Sequence, residues 1–288
     1  MTAQSRMAAS AARTAADAGV RPALRASRWV LEANATFAVA WREVLRAIKS
    51  RQMIAINIIF PVLFMGLMGG MIAQNLGKAL PFAYLPYMLV GMVAQTMYQG
   101  GMIGVTTLVE ERENGFTAEL FVAPITRYSV LLGRIIGASL ASMVSLIGVL
   151  AMIVVMQIPV DFVDVLRVLV LAPVLALAGG ALGVLFIGFV QDPKTADVGS
   201  MLLVMPQMFL AGSIIPNAAS SGILGILAKL MPMTYVIDLA RNVFYAGKPE
   251  YAAVVQYPFL VDLAVTAAIF VSFLVIGTVM FVRTDRNR

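Results

Sequence analysis

The sequence predicts an all-α integral membrane protein, and three observations carry that prediction. Of its 288 residues, 60% are hydrophobic and only 12% are charged, whereas soluble domains are roughly half apolar and a quarter charged. The apolar residues gather in uninterrupted stretches of about 20, long enough to cross a hydrocarbon core roughly 30 Å thick as helices that satisfy their own backbone hydrogen bonds. Those stretches do not alternate between apolar and polar residues, which argues against the strands of an outer-membrane barrel.

Taken in order, residues 1–28 are rich in Ala, Arg and Ser, carry one acid, Asp17, and hold no apolar core of signal-peptide length. They read as a mobile cytoplasmic arm, although an organellar transit peptide has a similar composition. Residues 29–288 read as a single membrane domain. Its first element is the stretch ATFAVAWREVLRAIKSR, in which Phe37, Trp41, Val44, Leu45 and Ile48 recur at helical spacing while Arg42, Glu43, Arg46 and Lys49 lie largely off that stripe. A basic amphipathic helix of this kind lies in the membrane interface or packs on a soluble partner or on the protein's own loops.

Six transmembrane spans come next, near 53–73, 84–109, 130–156, 167–190, 197–215 and 259–282. The polar residues assigned to them are amides, Asn57, Gln95, Gln99, Gln157 and Gln207, for which interhelical hydrogen bonding is the simplest role and substrate contact the alternative. Gly133, Gly137 and Ala141 form a small-xxx-small row on the third span that permits close packing within the subunit or across a dimer. The middle thirds of the spans hold no acid, and Asp262 lies near the outer end of the last. Between the fifth and sixth spans, NAASSGILGILAKLMPMTYVIDLARNVFYAG splits at Pro232 into two apolar pieces of about 13 to 14 residues, each roughly 20 Å and too short to cross. This predicts an outer re-entrant or interfacial hairpin, with Asp238 and Arg241 spaced to pair on one helix face.

Charge sets the expected orientation. With both termini cytoplasmic, the inside holds 9 Lys and Arg in residues 1–51, 3 in 110–134, 1 in 191–197 and 3 in 283–288, or 16 of the 21, and the outside holds the other 5. That asymmetry follows the positive-inside rule, and it makes anionic lipid a better account of the +6 net charge than nucleic acid.

Several chemistries are excluded. The chain has no Cys and no His, which removes thiol nucleophiles, imidazole bases and the usual zinc or haem ligands. No phosphate-cradling G-x-x-x-x-G-K-[ST] pattern occurs, because the Gly-Lys pairs at Gly77 and Gly247 are followed by Ala79 and Pro249. Any ATP hydrolysis belongs to another chain, and the protein is not expected to be an enzyme by itself.

Against this apolar background, EERENGFTAELFVAPITR at 110–127 holds four of the chain's fifteen acids and falls on the cytoplasmic side between the second and third spans. Glu110, Glu111 and Glu113 are placed to favour the start of a helix, Gly115 interrupts it, and Pro124 ends the short helix between the two. Phe116 and Leu120 share one side of that short helix, which suits either docking into a basic-rimmed cleft or a solvated connector.

Three stretches carry a resemblance to the membrane subunits of ABC-2-type exporters, whose relatives export drugs, polysaccharides and lipo-oligosaccharides. ERENGFTAELFVAPITR resembles the family's cytoplasmic segment, FLAGSIIP at 209–216 resembles the end of its fifth span, and LMPMTYVIDLAR at 230–241 resembles its Pro-x-Thr-Tyr segment ending in Arg. The resemblance implies a permease that forms the substrate pathway as a homodimer or heterodimer and is driven by two cytoplasmic ABC ATPase subunits. The chain itself would hold no cofactor, with ATP and Mg bound on the partner, and would sit in a bacterial or archaeal plasma membrane.

It further implies ATPase coupling through Glu110, Glu111, Glu113, Gly115, Phe116, Glu119, Leu120, Pro124 and Arg127, together with an interfacial helix bearing Phe37, Trp41, Arg42, Leu45 and Ile48. An outer hairpin or lid would use Pro216, Pro232, Thr234, Tyr235, Asp238 and Arg241. The cargo would be a drug, lipid, glycolipid or polysaccharide. The alternative is a channel or membrane assembly scaffold without ATP-driven transport.

Overall fold

The computed structural model describes residues 28–75, 77–113, 126–190, 192–216 and 222–286, and every regular element among them is a helix. The amphipathic stretch forms α1 (Arg28–Lys49), and Ser50 separates it from α2 (Arg51–Phe64). A π-helical turn at Met65–Gly69 carries α2 into the short α3 (Gly70–Asn75). The next rod, α4 (Tyr84–Glu113), has 30 residues and is about 45 Å long.

After residues 114–125, α5 (Arg127–Ser142) begins at Thr126, whose hydroxyl caps it by accepting from the Ser129 N–H. A single 3₁₀ turn, Met143–Ser145, joins α5 to α6 (Leu146–Val155). The rod then ends in a turn in which Gln157 takes a φ of +48°, so this residue closes the crossing rather than lying inside it. The 28-residue α7 (Phe162–Phe189) is next, and α8 (Pro193–Leu210) starts from an Asp192 cap with proline in the first helical turn.

The hairpin comprises α9 (Gly222–Leu230) and α10 (Pro232–Phe244), bent by 79° at the predicted proline. The first arm is described from Gly222 for 9 residues, and the earlier part of the expected piece, 217–221, lies outside the described residues. The one-turn α11 (Tyr251–Val254) leads to α12 (Phe259–Arg286).

Helix α7 is the centre of the bundle, with α4 against one side, α12 against another and α10 wedged where α4, α7 and α12 meet. The α4–α7 contact runs backbone to backbone. A Cβ on Gly101 would lie 1.9 Å from the Ala176 carbonyl oxygen, and one on Gly179 would lie 1.8 Å from the Tyr98 oxygen. In a bilayer, where lipid tails are as apolar as leucine, such close approach replaces the hydrophobic effect as the source of helix association. The outer faces of α2, α8 and α12 carry exposed side chains such as Ile59, Met201 and Val275, as lipid-facing or subunit-facing surfaces require.

By length and composition four segments suit a crossing: Ile54–Asn75, Tyr128–Val155, Phe162–Phe189 and Tyr251–Phe281, or five if the bent pair counts as one span. The other two predicted crossings, α4 and α8, have lengths of about 45 and 27 Å, but Gln95, Gln99 and a glutamate-bearing last turn dilute the first, and Lys194, Asp197 and Gln207 the second.

Gly101→Leu or Gly179→Leu is expected to lose the monodisperse folded protein on size exclusion, since backbone rather than a side-chain tip blocks the added atoms. Gly70→Ala, which meets nothing within 4 Å, should elute like the parent chain.

Candidate coupling site

The charged stretch 110–127 is flanked by the end of α4 and the start of α5, and α1 holds both flanks. On the α5 side, the Glu32 carboxylate of α1 accepts from the Thr126 backbone N–H at 3.1 Å, from the Thr126 hydroxyl at 2.9 Å and from the Ser129 hydroxyl. On the α4 side, Arg42 and Arg46 of α1 donate to the two Glu111 oxygens at 2.9 and 2.5 Å. One helix thus ties together the two ends of the segment.

Arg134 of α5 lies beneath this clasp, fully buried. Its Nη1 donates to Glu43 at 2.5 Å and to both Glu111 oxygens at 3.1 Å, its Nε donates to the Gly104 carbonyl at 2.8 Å, and its Nη2 donates to the Thr107 hydroxyl. Three guanidinium groups therefore surround two carboxylates, the five side chains being drawn from α1, α4 and α5.

The network has a local electrostatic cause. Glu110, Glu111 and Glu113 sit in the last turn of α4, not at the start of a new helix as the sequence suggests, and carboxylates at a helix C-terminus face the negative end of the macrodipole. The arginines offset that penalty at Glu111. Burial alone would raise the Glu111 carboxyl, but Arg134 and Arg42 beside it prevail and hold it below its ordinary value of 4.5. Burial likewise works against the Arg42 charge, and Glu43 and Glu111 together raise its pKa above the usual arginine value.

The α1–α5 contact that supports the clasp uses the glycine row. A Cβ on Gly133 would fall 2.6 Å from the Thr36 oxygen, and one on Gly137 would fall 2.8 Å from the Ala40 backbone. Gly133 and Gly137 thus seat α1, while Ala141 lies farther along, on a cavity wall.

A family model described as ABC-2 type transporter matches residues 34–245. The chain belongs to that family. Comparison with curated proteins gives no match. Family membership makes the chain the membrane permease component of an ABC transporter, a class that associates with ABC ATPases and is typically not catalytic itself.

In this ABC-2 permease the amphipathic helix has two working faces. Val39, Ala40 and Glu43 are buried against the bundle, whereas Phe37 and Trp41, stacked with centroids 6.4 Å apart, are 69% and 52% exposed, and Ile48 is exposed beside them. The apolar stripe faces outward, as an interfacial helix requires, while Leu45 is half-buried at its edge and Arg42 turns into the clasp. Among the residues read as coupling, Glu110 is exposed and Glu111 is an internal ion-pair partner. Glu113 and Arg127 lie at helix ends, and Gly115, Phe116, Glu119, Leu120 and Pro124 lie outside the described residues.

At the other end of the permease the second and third resemblance stretches converge. The Gly212 carbonyl, on a backbone turn with φ +78°, accepts from Tyr87 Oη at 3.0 Å and from Arg241 Nη2 at 2.6 Å. The Arg241 guanidinium also lies 3.7 Å from the Tyr87 ring centroid. Asp238 does not take Arg241 as its hydrogen-bond partner; it accepts from the backbone N–H groups of Gln256 and Tyr257 at 3.0 and 2.8 Å. Backbone N–H groups of a loop and a carbonyl on a tight turn compete successfully with the i, i+3 pair.

Thr234 and Tyr235 donate to the Ala228 and Lys229 carbonyls across the bend, and Pro216 is half-buried after α8. Asp262 is fully buried and accepts from Asn242 at 2.7 Å rather than reaching toward water. The amides differ from expectation too. Gln207 donates to Leu203 of its own helix, while Gln207 Oε1, Gln95 Oε1 and Gln99 Nε2 are buried without a hydrogen-bond partner among the described residues. The side chain of Asn57 lies outside the described residues.

Arg134 and Glu32, and the ion-pair role of Glu43, are not assigned from the sequence. Arg134 is the fifth residue of the third predicted span, and an ionisable residue within a span signals a specific partner by default.

Arg134→Leu removes the buried guanidinium shared by Glu43 and Glu111, leaving them only the more exposed Arg42 and Arg46, and is expected to cost about 3–5 kcal/mol, read as a lowered Tm in detergent. The Glu111 pKa is depressed in the fold, so its stabilising contribution is present above pH 4.5 and is lost as pH falls through the lower folded-state value. Hydrogen exchange of residues 28–49 should therefore quicken on acidification below pH 4.5, and Glu111→Gln should remove that dependence while raising exchange at neutral pH.

Proposed function

We propose that this ABC-2 permease is the pathway-forming subunit of an exporter, assembled as a dimer on two ATPase chains, with residues 110–127 as the docking segment. The observation that carries this reading is the double attachment of α1 to both flanks of that segment, through Glu32 at Thr126 and through Arg42 and Arg46 at Glu111. A partner that displaces the segment pulls on α4, α5 and α1 together, and Arg134 makes the three respond as one body. The exposed Phe37–Trp41 stripe would keep α1 sliding in the interface plane while this happens.

The accompanying scheme is six crossings with both termini cytoplasmic in a bacterial or archaeal plasma membrane, the single membrane domain being residues 29–288. Phe116 and Leu120 would supply apolar contact to the ATPase, and Glu110, Glu113 and Arg127 would orient it by charge. ATP and Mg stay on the partner. Nucleotide shifts the permease only to the extent that the two ATPase states bind this surface differently. The hairpin at Pro232 would serve as the outer lid, braced on α4 by Arg241 and Tyr87. Exposed apolar faces on α2 and α8 suit the second permease subunit, identical or related, and the cargo would be a drug, lipid, glycolipid or polysaccharide.

The test is co-purification of the tagged permease with its ATPase, and then hydrolysis and efflux assays. Leu120→Asp should reduce recovery of the ATPase about tenfold or more, as loss of a buried interface anchor does. Glu32→Ala should leave the ATPase bound and hydrolysing but lower efflux. A permease recovered intact and alone from detergent and from nanodiscs would overturn the reading in favour of a channel or scaffold.

A further inference from the structure

A cavity of about 420 Å³ lies between α1, α2, α4 and α5, within the size range of small-molecule sites. It runs along α4 from Met92 to Thr107, about 22 Å of helix. The wall is mainly apolar, but seven uncharged hydrogen-bonding side chains line it: Ser50 at the α1–α2 junction, and Gln95, Thr96, Gln99, Thr107, Ser142 and Ser145. The charged residues on its wall, Glu43 and Arg46, are already engaged with Arg134 and Glu111.

Two atoms in this wall define what fits. Gln95 is 3% exposed, and its Oε1 has no hydrogen-bond partner among the described residues; Gln99, one turn further along the same helix face, has its Nε2 buried without one there. Lipid tails or packed side chains would leave an acceptor and a donor unmet in an apolar environment, at about 1–3 kcal/mol each. A hydroxyl group answers both, since it donates to the glutamine oxygen and accepts from the neighbouring amide nitrogen. A carboxylate or phosphate would bring a charge for which the wall has no unengaged counter-ion.

We infer that this cavity is an intramembrane binding site for a neutral amphiphile, whose hydroxyl group is recognised by Gln95 and Gln99 and whose acyl chain lies along the apolar wall of α2 and α4. Binding is a property of the permease chain alone; its meaning as cargo recognition rests on the exporter reading.

The experiment uses the full chain in phosphatidylcholine nanodiscs, without ATPase, and a photoactivatable monoacylglycerol carrying a diazirine in its chain. Crosslinks should map to α4 and α5 around the cavity. Monooleoylglycerol should compete at about tenfold lower concentration than methyl oleate, which has the same chain but no hydroxyl. Gln95→Leu combined with Gln99→Leu should abolish that difference, and Ala141→Leu, which narrows the cavity without removing a polar group, should reduce labelling by itself. Equal competition by the two esters, or cavity labelling that persists in Ala141→Leu, would overturn the proposal and leave the site to water or lipid tails. Because the assay contains no ATPase, its failure is distinguishable from failure of the exporter reading, which the co-purification decides.

Discussion

A buried guanidinium is costly unless it is paired and hydrogen-bonded, and Arg134, all three of whose nitrogens find acceptors, fixes the architecture around it. Its donors reach a main-chain carbonyl and a hydroxyl on α4, the Glu111 carboxylate on the same helix and the Glu43 carboxylate on α1. Those demands fix the axial position of α4 relative to α5 and bring α1 onto the glycines of α5, since Glu43 can arrive only if Thr36 and Ala40 sit where Gly133 and Gly137 leave room. The charge network and the small-residue contact are therefore one device. Either alone would be weak: the glycine row has no direction of its own, and the ion pairs would be too costly in hydrocarbon without close backbone approach to exclude lipid.

The two ends of the bundle solve the same problem with different chemistry. At the α1 end, ionic groups on separate helices are paired with one another, so the helices are coupled through charge and respond to anything that moves Glu111 or Thr126. At the hairpin end, backbone does most of the answering: Gly212 presents its carbonyl to Tyr87 and Arg241, and the N–H groups of Gln256 and Tyr257 close on Asp238. Hydrogen bonds to main chain hold the hairpin in a defined pose, whereas the ion cluster links three helices through their side chains.

Between these two ends the interior is uneven. The α4–α7 seam is closed by glycine against backbone, with no room for a ligand, while the opposite side of α4 leaves a cavity where Gln95 and Gln99 remain unmet. A single 30-residue helix thus separates a tightly packed seam from a polar-lined void.

Several features are set by the sequence alone. Membrane insertion comes from composition, because long apolar runs have no other stable environment. The break at Pro232 comes from a ring that bars the helical hydrogen bond, and the exposed Phe37–Trp41 stripe from 3.6-residue periodicity; each is a local consequence of covalent structure or spacing. Family membership was legible in three short stretches for the same reason, since residue identity and order carry it. Tertiary structure decided the pairings. Glu111 could not be assigned to the end of α4 rather than to a new helix, nor Asp238 to a distant loop rather than to Arg241, because the competing partners are 23 and 18 residues away in the chain. Local spacing ranks nearby partners, but burial selects whichever partner satisfies a charge most completely, and only the packed fold determines which groups arrive within reach.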